Sequence, residues 1–105
     1  MNNTMTNLAP NRFFLGVPQT DKIQVYQVSA ARTAIVTQAI LTNTTGDEAN
    51  LTLTVNTIDV LKKFKVASGE TKVVDLHIVL NEGDTISLQQ ETSNAINVAL
   101  NGYAG

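Results

Sequence analysis

Apolar and polar residues alternate with a period of two along most of the chain after Asp21. The alternation is cleanest in LTLTV at residues 51–55. In TKVVDLHIVL at residues 71–80, the apolar residues Val74, Leu76, Ile78 and Leu80 also recur at every second position. Because successive side chains of a β-strand point to opposite faces of a sheet, this period predicts strands with one buried face. Short segments rich in Gly, Asn and Asp separate the runs and are typical of turns. The pattern therefore predicts an all-β fold.

About seven strand segments follow from this pattern, and each has one apolar face. We therefore expect two antiparallel sheets packed face to face as a single β-sandwich, with either a jelly-roll or an immunoglobulin-like strand order. The short polar turns favour antiparallel pairing of consecutive strands. The segments are KIQVYQVS (22–29), TAIVTQAILT (33–42), LTLTV (51–55), IDVLKKFKV (58–66), TKVVDLHIVL (71–80), TISLQ (85–89) and INVAL (96–100).

Two of these segments depart from strict alternation. The segment at residues 33–42 is apolar on both faces, which is typical of a central strand or of a bulged strand whose inward face switches. Residues 57–65 also fit a helical spacing of three through Ile58, Leu61 and Phe64, so a short helix is the alternative to a strand there.

The first twenty residues show no clear period and contain both prolines of the chain, Pro10 and Pro18. We expect residues 1–20 to form an extended arm and residues 21–105 to form the sandwich domain. The arm either covers the open end of its own sandwich or reaches a neighbouring subunit. Its apolar patch supplies the candidate interface residues, which are Phe13, Phe14, Leu15 and Val17.

The composition argues against several classes of function. Charged residues make up 15% of the chain and the net charge is -2, so no positive field would gather nucleic-acid phosphates. The basic cluster of Lys62, Lys63 and Lys65 is short and is typical of a solvated strand face. The absence of cysteine excludes disulfides and cysteine-ligated metals. Since no signal peptide or membrane-spanning run is recognisable, we expect a protein without a membrane partner that is cytoplasmic during synthesis.

The chain offers few groups for catalysis or metal binding. His77 is the only histidine, and it shares an outward strand face with Asp75, but no nucleophile is placed beside this pair. Zinc needs more nitrogen or sulfur ligands than the chain contains. The loops TGDEAN (45–50) and NEGD (81–84) offer oxygen ligands for calcium, yet neither has the spacing of a known calcium loop and both fit turns. We therefore expect no enzyme activity, metal or cofactor.

Outward Thr, Asn, Gln and Ser side chains form an uncharged surface that a carbohydrate could contact. Carbohydrate sites usually stack an aromatic ring on the sugar, and the chain has no tryptophan, so a plain solvated sheet surface is the simpler interpretation. The residues in question are Thr52, Thr54, Ser87, Gln89, Asn97 and Asn101.

Turn and strand motifs follow one another through residues 33–103, at Asn43, Gly46 and residues 51–55, 69–71, 79–80, 83–86 and 94–98. Their order resembles that of small structural proteins of bacteriophage particles. The resemblance rests on turn-and-strand motifs, so it transfers no functional residue. It implies a non-enzymatic β-sandwich protein of a phage or prophage virion, in the tail or on the head, that contacts further copies of itself or other virion proteins. A module that binds carbohydrate or a host surface is the alternative.

Overall fold

The computed structural model describes residues 8–105, and the regular elements in that part of the chain are all β-strands. The all-β prediction is therefore confirmed, and residues 57–65 contain a strand instead of a short helix. Residues 8–105 contain eight strands, where the sequence predicts about seven. They are β1 (Ala9–Gly16), β2 (Ile23–Gln27), β3 (Ala34–Asn43), β4 (Ala49–Val55), β5 (Ile58–Val66), β6 (Thr71–Leu80), β7 (Thr85–Gln90) and β8 (Ile96–Ala104).

The strands form two four-stranded antiparallel sheets in a sandwich-like arrangement. Sheet I has the order β1-β8-β3-β6 and sheet II has the order β2-β7-β4-β5. The predicted pairing of consecutive strands is wrong for most of the described chain, since β4 and β5 alone pair in this way. Each of the other connections carries the chain from one sheet to the other, so consecutive strands bury their apolar faces across the core instead of side by side.

One hydrophobic core lies between the sheets and is built from the inward side chains of both. Burying an aliphatic side chain of this size contributes about 1.5–3 kcal/mol. The inward side chains predicted for residues 51–55 and 96–100 all lie in this core. The largest fully buried hydrophobic side chains are Leu41, Leu51, Leu53, Leu80, Ile86, Leu88, Ile96, Leu100, Val36, Val66 and Val98.

The described part of the predicted N-terminal arm is a strand of sheet I. Residues 9–16 form β1, which pairs antiparallel with β8 of the same chain, whereas residues 1–7 lie outside the described residues. The register shifts between Arg12 and Phe14. This β-bulge lets Phe13 and Phe14 both pack on the core, and it breaks the period of two that would reveal a strand.

A second bulge explains why residues 33–42 are apolar on both faces. The register of β3 shifts between Val36 and Gln38 against both of its neighbours. Val36 is buried on one side of the shift and Ala39 on the other, while Ile35 and Ile40 lie on the outer face. Strand β3 is thus both central and bulged, and its outward isoleucines are available to the surface of sheet I.

Two buried amide side chains fix the loops at one end of the sandwich. Asn43 and Gln90 are each only 1% exposed. The Gln90 side chain donates to the carbonyl oxygens of Pro18 and Ile96 and accepts a hydrogen bond of 2.9 Å from the Ile96 N–H. These bonds tie the β1-β2 connection to β7 and β8, which holds β1 in place as an edge strand of sheet I.

Candidate functional site

The outer face of sheet I carries two rows of apolar side chains that cross all four strands. In an antiparallel sheet, residues directly opposite each other point to the same face, so the strand register defines these rows. The Leu15 row runs from β1 to β6 through Leu15, Ala99, Ile40 and Val73. The Tyr103 row runs in the same direction through Pro10, Tyr103, Ile35 and Val79.

Four of the side chains in these rows are strongly exposed. The exposed fractions are 62% for Leu15, 58% for Val73, 55% for Val79 and 45% for Tyr103. Single exposed apolar residues are ordinary, but aligned ones on a single sheet face mark a surface that a partner can cover.

A polar row lies between the two apolar rows. It runs from Arg12 on β1 through Asn101 and Gln38 to Asp75 on β6. The Asn101 side-chain amide donates a hydrogen bond of 3.3 Å to the Gln38 side-chain oxygen. Arg12 and Asp75 stand at opposite edges of the sheet, and neither forms an ion pair within residues 8–105. The face therefore presents one positive and one negative charge on either side of a neutral centre.

The bulges of β1 and β3 open a shallow depression of about 400 Å³ in this face. Gly102 forms part of its floor. A Cβ atom at this position would collide with the Ile35 carbonyl oxygen and lie 2.8 Å from the ring of Phe13, so no larger residue fits. The depression is lined by Pro10, Asn11, Arg12, Thr37, Asn101, Gly102 and Tyr103.

The edge strands β2 and β5 of sheet II expose Ile23, Ile58 and Val60, but the outward side chains of its central strands are polar and several of its charges are paired. The Lys62 ammonium lies 3.6 Å from the Asp59 carboxylate, and the Lys63 ammonium lies 3.3 Å from the Glu91 carboxylate. These lysines and Lys65 are exposed on β5, the edge strand of sheet II. Lys62 and Lys63 have acidic partners, so two of the three lysines of the predicted basic cluster are paired on a solvated strand surface.

Hydrogen bonds hold the acidic groups of sheet II in their charged form. The Thr54 hydroxyl donates a 2.7 Å bond to Asp59, which lowers the pKa of that carboxyl. The Asn50 amide donates a 2.8 Å bond to Glu91, and this bond, with the Lys63 ammonium, lowers the pKa of Glu91. Several charges of sheet II are thus paired with one another, whereas on the outer face of sheet I neither Arg12 nor Asp75 has an ion-pair partner in the described structure.

The structure separates the four predicted interface residues into two pairs. Phe13 is 5% exposed, and its ring meets that of Tyr26 edge-on at a centroid distance of 4.7 Å. Phe14 is half-buried and packs on the core. Leu15 and Val17 are exposed. Only the second pair is therefore placed to touch another molecule, and the phenylalanines anchor β1 to its own sandwich.

The candidate carbohydrate-binding residues are also divided. Thr52, Thr54, Ser87 and Gln89 belong to sheet II, and Asn97 and Asn101 belong to sheet I. Thr54 is only 1% exposed, although the alternation predicts an outward, solvated side chain. The six residues therefore form no single surface.

The remaining candidates for chemistry lie in ordinary structural settings. His77 and Asp75 are both exposed on β6, and no hydrogen bond joins their side chains among the described residues. In the loop at residues 81–84, the Asp84 carboxylate accepts a 2.8 Å bond from the Asn81 N–H, and Asn56 donates a second bond of 3.1 Å. These bonds close a turn and lower the pKa of Asp84.

Comparison with protein-family models and with curated proteins finds no match to the chain. No group of three or more His, Cys, Asp or Glu side chains in residues 8–105 is placed to hold a metal ion. The part of the chain that the structure describes also contains no helix long and apolar enough to cross a membrane.

The sequence prediction missed most of the residues on the outer face of sheet I. Two signals point to them. Ile35 and Ile40 belong to a strand with apolar residues on both faces, and Val73 and Val79 each stand beside an inward apolar residue in β6. An apolar residue at an outward position is the feature that such a surface requires.

Proposed function

We propose that this protein is a non-enzymatic structural component of a phage or prophage particle, and that it works by contact with further copies of itself or with other particle proteins. The observation that carries the proposal is the outer face of sheet I. Its two aligned apolar rows and uncharged centre contrast with the self-paired polar surface of sheet II. Burying an exposed apolar side chain against a partner contributes about 25 cal/mol per Å² of apolar area removed from water.

The proposed architecture in more specific terms is a jelly roll. The strand orders β1-β8-β3-β6 and β2-β7-β4-β5 support this description. An immunoglobulin-like sandwich would instead place the first two strands of the chain side by side in one sheet. Jelly rolls of eight strands occur in viral capsid proteins and in lectins, so the architecture is compatible with an assembly role and with a binding role.

The sheet edges differ in how open they are to a partner. Strand β5 carries two register shifts and three lysines, and Lys63 adopts a left-handed backbone conformation with φ of 48°. Bulges and edge lysines discourage pairing with another strand. In the edge strand β1, Pro10 lies near the start of the strand and the exposed Leu15 lies near its end. The other edge strand, β6, is ten residues long and contains no proline or glycine. We therefore place the contacts on sheet I, through the exposed part of β1 and the face that it shares with β6.

Density-gradient purification of particles from a host cell that carries the gene tests this function. Particle production is induced, and the gradient fractions are probed for the protein by mass spectrometry. The expected result is sedimentation with intact particles at a constant ratio to the other particle proteins. A protein that stays at the top of the gradient, or that leaves the particles on a second gradient at physiological salt, would contradict the proposal.

The depression on sheet I favours a second candidate function, which is carbohydrate or host-surface binding. Tyr103 supplies an exposed aromatic ring, and Arg12, Thr37 and Asn101 supply polar groups beside it. A ring next to amide and guanidinium donors is a suitable lining for a sugar. Binding to a glycan array that disappears in Tyr103→Ala and survives in Tyr26→Phe would favour this function, and no glycan binding at all would exclude it.

A further inference from the structure

We infer that the outer face of sheet I packs against the same face of a second copy of the chain, around a two-fold axis that runs parallel to the strands between β8 and β3. The inference rests on the proposed function, because it takes the apolar rows to be an assembly surface. It adds the identity of the partner and the orientation of the two copies.

The strand order determines which elements meet in such a pair. A two-fold axis along the strands in the middle of β1-β8-β3-β6 places β1 over β6 of the second copy and β8 over β3 of the second copy. Each contact occurs twice, as in every interface with this symmetry. Since the rotation keeps positions along the strand direction, each row of one copy faces the same row of the other.

The apolar rows match under this rotation. In the Leu15 row, Leu15 faces Val73 of the second copy, and Ala99 faces Ile40 of the second copy. In the Tyr103 row, the ring of Tyr103 faces Ile35 of the second copy. Aligned packing of two sheets in this manner is a common arrangement with the sheets about 10 Å apart.

The charges select this axis over the alternative. In the polar row, Arg12 faces Asp75 of the second copy, and the same pair forms again by symmetry, while Asn101 faces Gln38. A two-fold axis across the strands would instead bring β1 over β1, so Arg12 would face Arg12 and Asp75 would face Asp75. Facing like charges oppose association, whereas facing opposite charges fix the register. Sheets pack at an angle of about 30°, which moves edge residues by about 4 Å, a distance that an arginine side chain can span.

The size of the face sets the expected strength of the pair. Four strands spaced about 4.8 Å apart, over about 25 Å of their length, give a face of about 500 Å². Two such faces bury about 1,000 Å², which is near the lower limit for a specific interface. We therefore expect a dimer whose population depends on concentration, with a dissociation constant in the micromolar range.

Sedimentation equilibrium of charge-reversed variants tests the pairing. The wild-type mass should rise from 11.3 kDa towards twice that value as the concentration increases from about 1 µM to about 500 µM. Arg12→Glu and Asp75→Arg should each weaken the dimer about tenfold or more, and the double variant should recover most of the loss. Lys65→Glu makes the same charge change on sheet II and should leave the dissociation constant unchanged. Circular dichroism of each variant verifies the fold.

Three results would overturn the inference: a wild-type protein that stays monomeric over this range, a dimer that ignores both single reversals, or a double variant as weak as the singles. A dimer whose dissociation constant is the same in both charge-reversed variants would indicate edge pairing through β6. If that protein still sediments with particles, the proposed function stands and only this pairing fails. A charge-sensitive dimer that never sediments with particles would support the pairing and overturn the proposed function.

Discussion

Removing the Asn43 side chain should be one of the most damaging single changes outside the hydrophobic core. Its amide nitrogen donates to the carbonyl oxygens of Asp47 at 2.7 Å and Val66 at 3.0 Å. Its side-chain oxygen accepts bonds of 2.9 Å from the Thr45 N–H and 2.7 Å from the Thr45 hydroxyl. The side chain therefore joins the β3-β4 connection to the end of β5. Asn43→Ala removes the hydrogen-bond partner of the Asp47 and Val66 carbonyl oxygens and of Thr45.

The expected cost follows from the partners that remain. A net contribution of about 1 kcal/mol for each of the four hydrogen bonds would give a loss of about 4 kcal/mol. The Thr45 hydroxyl has a single proton, and in the variant it can donate that proton to the Asp47 carbonyl oxygen 3.0 Å away, which recovers part of this loss. We therefore expect Asn43→Ala to lower the free energy of unfolding by about 3 kcal/mol, a large part of the total of about 5–15 kcal/mol for a domain of this kind.

Urea unfolding followed by far-ultraviolet circular dichroism measures this loss. With a slope of about 1.3 kcal/mol per M, the midpoint of Asn43→Ala should fall by about 2 M while the slope stays constant. Asn97→Ala is the matched control, because Asn97 is exposed on the adjacent strand β8, and it should change stability by less than about 0.5 kcal/mol. If both variants shift the midpoint equally, the buried amide does not hold these loops.

Three further changes test other parts of the structure. Gly102→Ala should lower the free energy of unfolding by about 3 kcal/mol in a thermal melt, because the added Cβ atom collides with the backbone. Gly46→Ala is the control and should be nearly neutral, because a Cβ atom at position 46 has no neighbour within 4 Å. Phe13→Ala should cost about 3–5 kcal/mol and Leu15→Ala less than about 0.5 kcal/mol in monomer unfolding, and equal costs would contradict the placement of β1. The lowered pKa of Asp84 gives stability that is complete above its ordinary value of 3.8 and is lost as the pH falls below it, so Asp84→Asn should lose less stability than wild type between about pH 6 and pH 3.

The alternation of residues was sufficient to locate most strands. Residues 58–66 and 71–80 form strands with the predicted bounds, because a period of two is a local property of the chain. Strand β1 does not show this period, because the bulge at Phe13 places two neighbouring residues on the core. A pattern search that permits one inserted residue would find it.

The assignment of strands to sheets could not be predicted in the same way. Strands of sheet I and sheet II have similar alternation, and only pairing between distant strands separates them. The rows on the outer face of sheet I depend on that pairing. Leu15, Ala99, Ile40 and Val73 come from four separate parts of the chain, and their alignment becomes visible only from the register.

We propose that the outer face of sheet I is a contact surface and that the outer face of sheet II faces solvent. The most direct test places a lysine at an outward position of each face and compares the mass in solution at about 200 µM, above the micromolar dissociation constant expected for such a face. Val73→Lys should reduce the protein to a monomer, whereas Ser87→Lys on β7 should leave the wild-type mass unchanged. A wild-type assembly that survives Val73→Lys, or that is lost in Ser87→Lys, would contradict the claim.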